Sequence, residues 1–158
     1  MRTFDDLTLD GYVSQQFDFP SLLQTKPQAT QDLFAQLVVA PCVNAEFDPS
    51  AGNFCFVSVI GHSDRNDTPG LTSEQRRENE RQNSELRAEA ARSFIIDQIF
   101  AQIQAAGGTP PVDLASMQNV TIDVVTAGSA NLVFTTPAGE AQRQQNRRVQ
   151  FVVSSFTP

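Results

Sequence analysis

The sequence has no tryptophan, one tyrosine, one histidine and two cysteines in 158 residues. Lysine is almost missing as well: Lys26 stands alone beside ten arginines. With 18 acidic against 11 basic residues the net charge is −7, which disfavours nucleic acid or an anionic membrane surface as the main partner. No apolar run approaches the roughly 18 residues of a bilayer span, so membrane insertion by this chain is not expected. Met1–Asp6 shows none of the basic, apolar and small-residue zones of a signal peptide. The expectation is therefore a cytosolic protein, or a mature form or excised domain whose targeting segment lies outside this chain.

Scarcity limits the chemistry too. The single histidine, His62, is followed directly by Ser63 and Asp64. Consecutive side chains on an extended segment point to opposite faces, so these three cannot form a hydrogen-bonded relay. Asp64-Arg65-Asn66-Asp67 carries oxygen ligands but lacks the alternation and terminal glutamate of a calcium loop. No glycine loop suits a phosphate. The sequence thus points away from an enzyme, with no metal and no cofactor expected. Cys42 and Cys55 are too few for a disulfide scaffold and lack metal-ligand spacing. They flank the turn-rich stretch 44–53, which could bring them together as a disulfide, or they are two buried thiols.

What is present is apolar material for one core: 40% hydrophobic residues, including twelve phenylalanines. Residues 1–11 read as a polar lead-in, with the domain proper at 12–158. Partial alternation from Tyr12 to Phe19 suggests a strand. Helical spacing runs from Pro27 to Val39, with Pro41 as a stop. Phe54–Ile60 is continuously apolar, the pattern of a central strand covered on both faces. A charged stretch, 65–82, leads into a helix that Thr72 or Ser73 would cap. That helix turns amphipathic from Leu86 and ends at Gly107-Gly108. Val120–Val125 and Val149–Val153 read as strands, with a loop over 128–145 and a short strand at 132–134. The expected fold class is an α/β (α+β) sandwich in the order β-α-β-α-β-β, a small mixed sheet with two main helices on one face.

Four short motifs then fall in order: Phe17-Asp18-Phe19, Gly61-His62-Ser63-Asp64, Asn83-Ser84-Glu85-Leu86-Arg87-Ala88 and Asn146-Arg147-Arg148-Val149. Together they resemble the OmpA-like, peptidoglycan-associated domain family over roughly residues 12–154. The resemblance implies a periplasmic or envelope location and non-catalytic binding of peptidoglycan. The ligand it implies is the diaminopimelate of the stem peptide, which offers an ammonium and carboxylates on one short scaffold. By motif position Asp64 takes the ammonium and Arg87 a carboxylate. Ser63, Asp18, Arg147 and Arg148 complete the candidate set, one of the two adjacent arginines facing the site or bracing Asp64. A register shifted by three would put Ala90 in place of Arg87. The alternative reading is a protein-interaction or scaffold domain of the same fold, with an envelope protein as partner and the Arg/Glu-rich stretch as its contact surface.

Overall fold

Residues 1–158 are described by the computed structural model. Four strands form one open mixed sheet in the order β1-β4-β2-β3. They are β1 (Arg2–Asp10), β2 (Phe54–Gly61), β3 (Val120–Thr126) and β4 (Arg148–Phe156). β2 and β3 run parallel, while β4 is antiparallel to both β2 and β1. Burial alternates along the strands. Cys55, Val57 and Val59 of β2 and Val149, Phe151 and Val153 of β4 face the core, whereas Phe54 and Phe56 lie exposed. The helices therefore cover one face only, and β2 is central without being covered on both sides.

The covering layer consists of α1 (Phe19–Gln24), α2 (Gln28–Phe34), α3 (Ala40–Phe47) and the 33-residue α4 (Ser73–Ala105). Pro41 does not stop the second helical stretch. A π-helical turn at Ala35–Val39 joins α2 to α3, which places Pro41 in the first turn of α3, where its missing N–H goes unused. On α4 the buried stripe Ala88, Ala91, Ile95, Ile99 and Ile103 recurs at helical spacing and lies on β2 and β3. Phe19, Phe34, Phe94 and Phe151 form an aromatic cluster with centroids 5.2–6.0 Å apart. No helix is long and apolar enough to cross a membrane.

Residues 1–11, expected as a lead-in, instead supply β1, an edge strand paired along its length with β4. Tyr12–Phe19 is not a strand. Its backbone turns through Gln15 at φ 58° and is tied to the other end of the chain by Gly11 N–H to Gln144 O and Tyr12 N–H to Arg147 O. Residues 132–134 form no strand, and within the expected loop 128–145 a helix begins, α5 (Glu140–Asn146).

Candidate functional site

The site forms where β2 empties into the turn 62–68, the front of α4 and the α5–β4 junction. The turn is anchored on two sides, by His62 N–H to Arg148 O at 2.9 Å and Ser63 N–H to Gly128 O at 2.8 Å. Gly61 allows α4 to rest directly on the strand end. A Cβ at Gly61 would stand 1.8 Å from the carbonyl oxygen of Ser84. That close approach brings Arg87, just one turn further on, over the turn.

Thr72 caps α4 reciprocally with Gln75, so the helix starts where the S/T-x-x-Q signature places it. The charged stretch 65–82 thus divides into a loop and nearly three turns of α4. Within it Glu80 is buried and holds both neighbouring loops: Asn66 N–H at 2.7 Å and the Ser129 hydroxyl. Glu78, Arg81 and Glu85 pair along one side of the helix, whereas Glu74, Arg76 and Arg77 form no ion pair. The Arg81 bonds hold the Glu78 carboxyl down at about 2.

Arg87 is 1% exposed and has no carboxylate within salt-bridge distance. Its Nη1 donates to His62 O at 3.1 Å and its Nε to Gln16 O at 3.2 Å. The guanidinium lies 5.0 Å from the Tyr12 ring centroid and 5.4 Å from that of Phe17. These contacts explain why 12–19 is irregular: it wraps a buried cation. Burial, chiefly, brings the Arg87 guanidinium down to about 10, with Arg147 adding to the effect and Tyr12 and Asp64 opposing it. Ala90 packs against the core, and of the two it is Arg87 that lines the polar cavity.

Asp64 is also buried. Its Oδ2 accepts from Arg143 Nη1 at 2.7 Å, its Oδ1 from Asn146 Nδ2 at 2.8 Å, and Arg147 Nη2 stands 3.8 Å away. Arg143 also reaches Asp67 at 3.1 Å, and its two carboxylate partners raise its pKa further. Arg147 donates to Glu140 at 2.5 Å. Asn146 is fixed by a two-way pair with the backbone of Phe134. Asp64 is thus oriented by α5 rather than left free.

Between Asp64 and Arg87 lies a cavity of about 250 Å³ with no apolar residue in its lining. Ser63, Arg143, Arg147 and Asn83 share the wall. The Ser63 hydroxyl is buried there without a hydrogen-bond partner. His62, behind it, has no partner on either ring nitrogen, and burial first, then Arg148, lowers its pKa to about 4. His62 and Ser63 therefore make no bond to each other, as their adjacency in sequence led us to expect.

Of the six expected ligand residues, four line this cavity: Asp64, Arg87, Ser63 and Arg147. Two do not. Asp18 caps α1, accepting from Ser21 N–H at 3.0 Å. Arg148 turns away and braces loops by donating to Asn146 O and Asn131 O, its pKa lowered by burial. Arg143 was not expected. Arg143 and Asn146 are three apart and share one helix face, a spacing without meaning while the segment is read as a loop. Cys42 and Cys55 lie side by side in the core, unbonded in this structure, with Sγ atoms 3.3 Å apart.

No protein-family model matches the sequence, and no curated protein matches it. Among solved structures, the cell wall anchor of the T6SS from Pseudomonas aeruginosa is similar over 98% of this chain and 82% of its own, at 20% identity and a TM-score of 0.42. The periplasmic domain of Helicobacter pylori MotB is similar over 94% and 80%, at 15% identity and 0.39. For the OmpA-like domain of FopA1 from Francisella tularensis the figures are 97% and 73%, at 14% and 0.42. The chain is similar to these domains, and what it binds is to be read from its own cavity.

Proposed function

We propose that this chain binds peptidoglycan non-covalently through the diaminopimelate of the stem peptide, and so tethers an envelope protein to the wall from the periplasmic side. The observation that carries this reading is the pairing of Asp64 and Arg87 across one wholly polar cavity. A buried guanidinium without a carboxylate partner is costly unless an anion completes it. The ligand carboxylate supplies that anion. Its ammonium then meets Asp64, where Asn146 and Arg143 occupy only part of the carboxylate's roughly four acceptor sites. Ser63 offers the ligand a further hydroxyl. None of these groups needs to move a proton, so the site acts by binding alone.

Each charge-assisted contact is worth about 1.5–3 kcal/mol, or roughly ten- to a hundredfold in affinity. Sedimentation with purified diaminopimelate-type peptidoglycan tests the reading. Wild type should pellet, while Arg87→Ala and Asp64→Asn should remain largely in the supernatant. Wild type that stays in solution, or variants that pellet equally well, would overturn it.

A further inference from the structure

We infer that Cys42 and Cys55 are the site of a disulfide formed while the chain folds and then sealed into the core. Cys42 lies on α3 and Cys55 on β2, 13 residues apart in sequence, and both face the core. Their Sγ atoms are 3.3 Å apart, and the only other polar contact of the pair is Cys42 Sγ to Val38 O. No histidine or carboxylate joins them as a metal ligand set. A shift of roughly an ångström along an existing contact makes the bond.

The timing follows from burial. The thiols are 0% and 3% exposed, so no third sulfur can approach either one in line once α3 has docked on β2. The nucleophile is lacking too. The contact with Cys55, then burial, holds the Cys42 thiol well above its ordinary range, so Cys42 carries almost no thiolate in the fold. In the unfolded chain both obstacles vanish. A thiolate of one cysteine attacks the oxidant's disulfide, forms a mixed disulfide and releases one thiol. The second cysteine then attacks that mixed disulfide and releases the other. Two cysteine thiols are oxidised, one small disulfide is reduced to two thiols, and the two protons pass to the thiols released.

This concerns the core and not the cavity, so it stands or falls independently of wall binding. The experiment refolds the reduced full chain from denaturant in a buffer of oxidised and reduced glutathione. The product is acid-quenched, denatured, alkylated and weighed. A monomer that has lost two hydrogens and takes up no alkyl group is expected. It should melt about 5–10 °C above the reduced protein. Reductant should open the bond only when denaturant is present. A refolded monomer carrying two alkyl groups, glutathione adducts or intermolecular disulfides would overturn the inference.

Discussion

The contact between Gly61 and α4 gives the sharpest test of how the site is built. In Gly61→Ala the new Cβ would meet Ser84 O at 1.8 Å, Ser84 C at 2.7 Å and the Ala88 methyl at 3.1 Å. Two of these atoms are helix backbone and cannot rotate aside. A comfortable carbon–oxygen contact is about 3.3 Å, so α4 and the end of β2 must separate by roughly 1.5 Å. A gap of half that size already forfeits a quarter to a half of the dispersion energy of the facing atoms. Overpacking of this kind costs about 1–3 kcal/mol, and rigid backbone on both sides puts the change at the upper end. The expected fall in melting temperature is about 6–12 °C. Gly139→Ala serves as the control, since a Cβ there meets nothing within 4 Å and the backbone is extended. It should change stability by no more than about 0.5 kcal/mol. Binding reports the same displacement. Arg87 Nη1 sits 3.1 Å from His62 O, so lifting α4 pulls the guanidinium off the turn and should weaken the proposed wall binding even in protein that remains folded. Denaturant melts and sedimentation read the two effects. A Gly61→Ala protein as stable as the control would mean that α4 does not lie on β2 as described.

Stability should also depend on the His62 imidazole. It titrates near 6.5 in the unfolded chain and near 4 in the fold, so below pH 6.5 the unfolded state binds the extra proton. The stabilisation is complete above pH 6.5, falls by about 2 kcal/mol by pH 5 and levels off below pH 4. His62→Gln should flatten the denaturation profile between pH 7.5 and 5, and an unchanged slope would refute the assignment. Thr72→Ala removes the acceptor for Gln75 N–H and should cost about 1 kcal/mol, seen as a loss of about 2–4 °C in melting temperature. Arg143→Ala removes a charge-assisted bond to a buried carboxylate and should cost about 1.5–3 kcal/mol. A double-mutant cycle with Asp64→Asn should show coupling, whereas additive effects would show that the pair is not formed in solution.

Some of this structure is legible in the chain and some is not, for physical reasons. The strand 54–60 announces itself as a continuous apolar run, although only one of its faces is buried, and the stripe of α4 announces itself by its helical period. β1 is silent: an edge strand with one side open needs few apolar residues, and its sequence RTFDDLTLD holds three acids. The segment 12–19 misleads in the opposite sense. Tyr12, Phe17 and Phe19 look like strand residues, yet two of them lie on the Arg87 guanidinium and the third starts a helix. Helix α5 escapes notice because seven mostly polar residues have no apolar period to read.

By itself the sequence determined the class of the fold, its main core elements, and the turn and helix that present Asp64 and Arg87, since these rest on local pattern and ordered motifs. Tertiary structure alone decided which polar residues meet. Only packing brings Arg143 and Asn146 onto Asp64 from 79 and 82 residues away. Only packing sends Asp18 to a helix cap and Arg148 to a loop while Arg147, its neighbour, enters the cavity. Hydrogen bonds and ion pairs of this kind have no sequence period. They are set by where the backbone crosses, and here Gly61 sets that crossing.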